Sequence, residues 1–191
     1  MKTVYIRCFV AIEIPVHVQK VFEKIQNELR TEIGKASWTK IGNFHLTLKF
    51  LGDVKKDSIS DICNAIDKVA TKQKPFSLEF GGIGTFPNLS RPRVLWIGLK
   101  QGGKITTGLS KYINNALLHC DVKSDERFHP HVTLARLRQH ADLRGYVDLF
   151  EEYQTIQNTS MAVDEITLVK SELRPTGAVY TPISKFHFGR K

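Results

Sequence analysis

Hydrophobic and polar residues follow two different periods in the first part of the chain. A stretch rich in apolar, β-branched and aromatic residues, Val4 to Ile14, predicts a strand that ends at Pro15. The apolar residues after it recur at helical spacing and predict a helix that ends at Gly34: Val18, Val21, Phe22, Ile25 and Leu29. The other face of this helix carries lysines and glutamates, so we expect the apolar face to pack on a core.

The same two periods continue along the rest of the chain. They predict strands over residues 44–51, 76–86, 93–99, 131–138, 162–171 and 178–188. They predict helices over residues 58–71 and 104–119, and a short helical or irregular piece over residues 141–153. Because some strands are separated by helices and others are adjacent, the order favours an α+β fold with largely antiparallel sheets. From the length of 191 residues we expect one domain, residues 1–191, with room for two lobes.

The composition is that of a globular and basic protein. Lys plus Arg is 28 and Asp plus Glu is 19, which gives a net charge of +9. This charge favours an anionic partner such as nucleic acid or a phosphorylated ligand, and a charge that only aids solubility is the alternative. The three cysteines, Cys8, Cys63 and Cys120, lie far apart in apolar segments and predict reduced, buried thiols.

The chain shows no targeting or membrane segment. No apolar run approaches the roughly 20 residues of a membrane helix, and the N-terminus lacks the apolar region and cleavage site of a signal peptide. We therefore expect a cytoplasmic protein that does not contact a membrane.

One short pattern occurs twice. Residues 45–51 (HLTLKFL) and 131–137 (HVTLARL) share His, Thr, Leu and Leu at the same four offsets. A single His-x-Thr is a weak signal, but two copies with matching leucines indicate a duplicated structural unit.

Each copy predicts a strand with one chemical face and one apolar face. Side chains alternate along a strand, so the His and Thr of each copy share a face, opposite the apolar residue between them. The leucines at the fourth and seventh places break this alternation in both copies, which predicts a β-bulge between them. Such a bulge returns Phe50 and Arg136 to the histidine face.

Two imidazoles with neighbouring hydroxyls suit chemistry at a phosphodiester. In-line displacement needs a base for the attacking oxygen and an acid for the leaving oxygen, and histidine serves either role near neutral pH. His45 and His131 are the candidates for these roles, in either order. The hydroxyls of Thr47 and Thr133 can donate hydrogen bonds to phosphate oxygens, and Arg136 can add a charged, bidentate donor.

Five segments carry the wider motif context: residues 7–12 (RCFVAI), 43–52 (NFHLTLKFLG), 93–98 (RVLWIG), 128–136 (FHPHVTLAR) and 171–180 (SELRPTGAVY). Together they resemble the RNA 2′,3′-cyclic phosphodiesterases, first named 2′-5′ RNA ligases (LigT-like), of the two-histidine phosphoesterase superfamily. The resemblance covers nearly the whole chain, and no motif position departs from the family pattern.

The resemblance implies a bilobal α+β fold with pseudo-twofold symmetry, helices outside, and an active site in the cleft between two His-x-Thr strands. It implies opening of a 2′,3′-cyclic phosphate at an RNA or nucleotide end to leave a 2′-phosphate, without metal or cofactor. By position, His45 would be the proton donor to the departing 3′ oxygen and His131 the acceptor that activates water. Thr47, Thr133 and Arg136 would hold the phosphate.

Several of these residues have competing interpretations. Phe50 would stack on a nucleobase by family position, whereas a core phenylalanine is the alternative. Arg136 could be no more than a solvated strand end. His129 and His131 form a His-x-His that could ligate zinc, although the sequence nearby offers no Cys or carboxylate set to complete a site.

Four further aromatic and basic residues are assigned more simply. Arg91 and Arg93 would contact RNA backbone or cover an edge strand. Trp38 and Trp96 are expected in the core.

Two other functions stay open beside hydrolysis in RNA processing. One is the reverse reaction, which joins RNA ends through a 2′-5′ linkage and uses the same groups. The other is a non-catalytic RNA or nucleotide binder, against which the two intact histidines argue. We expect a monomer whose partner is an RNA end or a small cyclic nucleotide.

Overall fold

The computed structural model describes residues 3–120, 122–123, 128–137, 142–175 and 177–189. In this part of the chain the strands are β1 (Tyr5–Glu13), β2 (Ser37–Trp38), β3 (His45–Lys55), β4 (Phe76–Phe86), β5 (Val94–Gln101), β6 (Val132–Arg136), β7 (Met161–Val163), β8 (Glu165–Arg174) and β9 (Gly177–His187). The α-helices are α1 (Val16–Ile33), α2 (Ile59–Ala70), α3 (Gly103–Leu117) and α4 (Val147–Glu151). Short 3₁₀ turns cover Lys56–Ser58, Leu118–Cys120 and Arg144–Tyr146.

The strands form one antiparallel sheet. Its order is β7-β4-β5-β6-β3-β1-β8-β9, and β2 pairs with β6 beside this path. The two strands with the repeated motif, β3 and β6, are neighbours near the centre, where Leu46 pairs with Val132. These two residues occupy the same place in the two copies, so a local twofold axis passes between them.

Each half of the sheet contains the same strand–helix–strand unit. The first unit is β1, α1 and β3, and the second is β5, α3 and β6. A third strand pairs with the first strand of each unit. β8, from the C-terminal part of the chain, pairs with β1, and β4, which directly precedes β5, pairs with β5. The α+β class and the duplicated antiparallel architecture are therefore confirmed, with the C-terminal strands completing the N-terminal half.

The main hydrophobic core combines one face of the sheet with the helices. Phe22 and Leu29 of α1 are fully buried in it, as their helical spacing predicts. Burial of such side chains stabilises the fold by about 1.5–3 kcal/mol each. A small second cluster, Phe9, Ala11 and Val169, lies apart from this core and lines clefts on the other face of the sheet. That other face is therefore free for ligands.

Some element boundaries differ from those that the sequence predicts. The strand expected over residues 162–171 is two strands, because the chain passes at Asp164 from pairing with β4 to pairing with β1. The first motif strand continues past Leu51, because its pairing with β1 extends to Lys55. The sequence does not predict β2, since two residues carry no periodic signal. The strand end expected at Arg138 and the start of the short helical or irregular piece expected at Ala141 lie outside the described residues.

In the described part of the chain, no helix has the length and apolar character to cross a bilayer. The burial expected of the cysteines is confirmed for Cys8, whereas Cys63 and Cys120 are half-buried free thiols. Burial raises the pKa of Cys8 to about 11, so this thiol stays protonated at neutral pH.

Candidate active site

Both motif strands carry a β-bulge at the same place. Across β1 and β3, Val10 pairs with Lys49 and Ala11 pairs with Thr47, so Leu48 is the extra residue. Across β5 and β6, the equivalent extra residue is Leu134. The bulge predicted in each copy is confirmed.

The bulges bring two more side chains to the histidine face. In each copy the bulged residue and its successor are both buried, so alternation resumes one residue later than in a regular strand. Phe50 and Arg136 come next, and both line the same cleft as the two histidines. With 58% of its surface exposed, Phe50 is not the core phenylalanine of the alternative interpretation.

The face of β3 and β6 away from the helices is the floor of a cleft of about 560 Å³. It is lined by the six residues expected to act in proton transfer, phosphate binding and base stacking: His45, Thr47, Phe50, His131, Thr133 and Arg136. The walls come mainly from β1, β5 and the hairpin of β8 and β9, and include Arg7, Phe9, Val94, Ser171, Leu173 and Tyr180. A space of this size is within the range of small-molecule sites and can hold a nucleotide.

The two imidazoles are held by equivalent hydrogen bonds. Nδ1 of His45 lies 2.8 Å from the carbonyl oxygen of Asn43, and Nδ1 of His131 lies 2.7 Å from the carbonyl oxygen of His129. A carbonyl oxygen only accepts, so Nδ1 carries the proton in both rings. Nε2 is then the nitrogen of each ring left for proton transfer.

The pKa of each imidazole is lowered from the ordinary value of 6.5. Burial is the largest cause for both, and the backbone hydrogen bonds oppose it. The positive charge of Arg136 lowers the pKa of both rings further. His131 also lowers the pKa of His45, and His129 also lowers the pKa of His131. Both rings are therefore mainly neutral at pH 7, with an unprotonated Nε2.

The cleft floor also presents unused hydrogen-bond donors. Among the described residues, no side-chain hydrogen bond or ion pair engages the hydroxyls of Thr47 and Thr133 or the guanidinium of Arg136. Hydroxyl and guanidinium donors grouped in this way suit the non-bridging oxygens of a phosphate.

The two ends of the cleft differ chemically although the strands are related by symmetry. Phe9 pairs with Phe50 across β1 and β3, whereas Val94 pairs with Arg136 at the matching place across β5 and β6. One end is thus aromatic, and the other combines a small side chain with a cation. A flat apolar group fits the first end and an anion fits the second.

Aromatic rings pack around His45. Its ring centroid lies 4.7 Å from that of Phe9 and 5.0 Å from that of Tyr180. Sequence reasoning did not assign a role to either ring, although both lie in segments of family resemblance. Tyr180 lies on β9 and comes beside the first motif because β9 pairs with β8 and β8 pairs with β1. No spacing in the sequence signals these pairings.

Trp96 lies beside His131 and not in the core, so the expectation of a core tryptophan is wrong here. Its ring centroid is 4.8 Å from that of His129 and 6.2 Å from that of His131. The ring covers Gly84, where a Cβ would meet it at 2.3 Å. Trp38 packs half-buried against the core.

Two alternative assignments concern metal and RNA backbone. In the described part of the chain, no group of three or more His, Cys, Asp or Glu is arranged to hold a metal ion, and the His129–His131 pair gains no further ligand there. Arg91 and Arg93 are exposed and do not line the cleft.

The cleft floor combines imidazoles for proton transfer with hydrogen-bond donors for an anion. An enzyme that acts on phosphoesters needs both kinds of group. The family model described as LigT like Phosphoesterase matches residues 12–96 and 100–180. This match includes both motif strands and most of the chain. The chain belongs to the LigT-like phosphoesterase family, and the expected family is confirmed.

Related proteins cover nearly the full length of the chain. An RNA 2′,3′-cyclic phosphodiesterase of Aquifex aeolicus is 32% identical over 186 residues, which are 96% of this chain and 98% of that protein. The crystal structure of TT0787 of Thermus thermophilus is 26% identical, with a TM-score of 0.79 over 96% of this chain and 98% of that one. Apo LigT of E. coli shares the fold, with a TM-score of 0.76 at 23% identity over 97% and 99% of the two chains.

Proposed function

We propose that this protein hydrolyses the 2′,3′-cyclic phosphate at the end of an RNA or nucleotide to a 2′-phosphomonoester. The observation that carries the proposal is the pair of imidazoles on neighbouring strands, which share one tautomer and line one cleft with free anion donors. The name of the Aquifex aeolicus relative supports the substrate class. The net charge of +9 is consistent with an RNA end as the anionic partner.

Phosphate binding is the first step of the proposed reaction. The hydroxyls of Thr47 and Thr133 donate hydrogen bonds to the non-bridging oxygens, and the guanidinium of Arg136 adds a charged donor. The negative charge that develops on these oxygens during displacement is stabilised by donors already in place. The base of the terminal nucleotide stacks on Phe50 at the aromatic end of the cleft.

Proton transfer completes the reaction. Nε2 of neutral His131 takes a proton from water, and the water oxygen forms a bond to phosphorus. The bond from phosphorus to the 3′ oxygen breaks, and Nε2 of protonated His45 gives its proton to that oxygen. His45 packs against Phe9 at the aromatic end, which supports its role toward the nucleoside oxygen. Exchange with solvent then restores both rings.

The acid, the base and the anion donors of this mechanism are all side chains, so the proposed reaction needs no metal. We further propose that residues 1–191 are one bilobal domain. The monomeric state and the cytoplasmic location stay predictions from the sequence.

The test is the product formed from an RNA that ends in a 2′,3′-cyclic phosphate, incubated with the protein and EDTA. A 2′-phosphate end supports the proposal. A 3′-phosphate end would overturn the assigned bond cleavage, and an unchanged end would favour a binding protein. Activity that disappears with EDTA and returns with a metal would overturn the metal-free mechanism.

A further inference from the structure

Buried helix side chains bind the carbonyl oxygens of both bulged residues. The carbonyl oxygen of Leu134 accepts a hydrogen bond of 2.7 Å from Nε2 of Gln26. The carbonyl oxygen of Leu48 accepts one of 2.6 Å from Oγ of Ser110. Gln26 is 2% exposed and Ser110 is 5% exposed. The two copies of the motif thus share this support as well as their sequence.

The two donors cross between the halves of the molecule. Gln26 lies on α1, which connects β1 to β3, yet it binds β6. Ser110 lies on α3, which connects β5 to β6, yet it binds β3. Each half therefore supplies the side chain that fixes the bulge of the other half.

Thr39 also takes part in the hydrogen bonds that hold the second motif strand. Nε2 of Gln26 also donates to the carbonyl oxygen of Thr39 at 3.0 Å. Thr39 in turn donates from its backbone nitrogen to the carbonyl oxygen of Leu134 at 2.9 Å and from Oγ1 to that of Thr133 at 2.9 Å. Gln26 and Thr39 together hold two consecutive residues of the strand that ends in Arg136.

Burying an amide or a hydroxyl among apolar side chains is unfavourable unless a hydrogen bond compensates, so an apolar residue is the usual choice at a helix position that only packs. Here the side chains of Gln26 and Ser110 each donate a hydrogen bond to the carbonyl oxygen of a bulged residue. The two bulges determine the face of the sheet on which the side chains of Arg136 and Phe50 lie.

We propose that Gln26 and Ser110 are positioning residues for the phosphoesterase reaction. Gln26 fixes the bulge that directs Arg136 into the cleft at the end where it pairs with Val94, which is the phosphate end. Ser110 fixes the bulge that directs Phe50 into the cleft at the aromatic end. This inference rests on the proposed function, because it assigns the two residues to opposite ends of the same substrate.

The two ends predict different effects of substitution. Gln26→Met should lower kcat/KM on a nucleoside 2′,3′-cyclic phosphate about 10- to 100-fold, since small displacements of positioning groups are costly. It should also move the pH profile upward, because Arg136 lowers the pKa of His45 and His131. Ser110→Ala should raise KM and leave the pH profile in place, because Phe50 carries no charge.

Other groups near the imidazoles also influence the pKa of His45 and His131. His129 also lowers the pKa of His131, while Arg7 and Tyr180 line the cleft. None of these lies on β6 beyond the bulge, but burial is the largest cause of both lowered pKa values, and His131 also lowers the pKa of His45. A joint shift therefore reports on Arg136 when Gln26→Met produces it in the native background and not in the Arg136→Met background.

The matched control is Thr159→Val. Thr159 is also buried, and its Oγ1 donates to the carbonyl oxygen of Phe80 on β4 at 2.9 Å, outside the cleft. This variant should lower the melting temperature without changing the relative activity or the pH profile. Equal effects of all three variants on kcat/KM at matched folded fraction would show a merely structural role and overturn the inference.

The deciding measurement is the NMR titration of the two imidazoles in the substrate-free protein. The pKa of both should rise in Gln26→Met and stay as in the native protein in Ser110→Ala and Thr159→Val. Unmoved pKa values in folded Gln26→Met would overturn the assignment of Gln26. The titration needs no turnover, so it remains interpretable if the native protein fails to hydrolyse the cyclic phosphate.

Discussion

Asn43 holds His45 through its backbone and the C-terminal hairpin through its side chain. Its carbonyl oxygen lies 2.8 Å from Nδ1 of His45, and its Nδ2 donates to the carbonyl oxygen of Ala178 at 3.1 Å. The imidazole is therefore fixed in tautomer by the residue two positions before it, and that residue is tied to β9. A proton donor or acceptor that needs no reorientation lowers the barrier to transfer.

Removing either imidazole should remove proton transfer. His45→Gln and His131→Gln are each expected to lower kcat on a nucleoside 2′,3′-cyclic phosphate about 10²- to 10⁴-fold, the usual contribution of one acid or base. Steady-state kinetics and thermal unfolding would separate loss of chemistry from loss of fold. The control is His187→Gln, since His187 lies at the end of β9 beside Glu165 and outside the cleft. Full activity of either cleft variant would refute the acid–base pair.

The pH profile of kcat/KM should have its maximum below pH 6.5. The reactive form has one imidazole protonated and one neutral, and the pKa of each ring is lowered from 6.5. Arg136→Met should move the maximum to higher pH, because it removes a positive charge that lowers both values. It should also reduce kcat/KM on the order of 10²-fold by removing a donor to the phosphate. The profile of Arg136→Lys, which keeps the charge, should stay near that of the native protein.

The hydroxyls of Thr47 and Thr133 should matter only as donors to the phosphate. Thr47→Val and Thr133→Val keep the shape of the side chain and are expected to lower kcat/KM about 10- to 100-fold, the value of a hydrogen bond to a charged group. Serine at the same positions should restore most of the activity. A serine variant as impaired as the valine variant would indicate that the methyl group, and not the hydroxyl, is required.

Phe50 should contribute to affinity and not to stability. Its ring is 58% exposed, so Phe50→Ala should leave the melting temperature nearly unchanged. Loss of base stacking should weaken substrate binding by about 1–3 kcal/mol, seen as a higher KM, whereas Phe50→Trp should keep it. Tyr112→Ala is the control, because Tyr112 is an exposed aromatic residue on α3 away from the cleft. An unchanged KM in Phe50→Ala would place the base elsewhere.

The two imidazoles should make the folded protein less stable in acid. Their folded-state pKa lies below the unfolded value of 6.5, so below that pH the unfolded chain binds more protons and stability falls. The double variant His45→Gln/His131→Gln should therefore lose less free energy of unfolding than the native protein between pH 7.5 and about pH 5. Urea unfolding at the two pH values measures this difference, and an equal loss in both proteins would contradict the lowered pKa values.

Much of the floor of the site could be predicted from the sequence, because it lies on two strands whose pattern is local and repeated. The alternation of His45 and Thr47 with apolar residues, and its interruption at Leu48, indicated both the exposed face and the bulge. The same signals in the second copy identified Arg136. Periodicity of two along a strand depends only on neighbouring residues, which is why it survives without knowledge of the fold.

The walls of the site could not be predicted, because they depend on contacts between distant parts of the chain. Tyr180 of β9 lies beside His45 because β9 pairs with β8 and β8 pairs with β1. Trp96 lies beside His131 where Gly84 leaves room for its ring. Gln26 looks like an ordinary polar residue of a surface helix until β6 is placed against it. Strand order and helix docking are tertiary properties that local patterns do not encode.

The two-histidine mechanism is tested by a ³¹P NMR measurement on cytidine 2′,3′-cyclic phosphate with the native protein, His45→Gln and His131→Gln, all in EDTA. The two-histidine mechanism predicts that the native protein converts the cyclic phosphate signal into that of the 2′-phosphomonoester, while both variants leave it essentially unchanged. A 3′-phosphomonoester, or equal conversion by native protein and variants, would contradict the two-histidine mechanism.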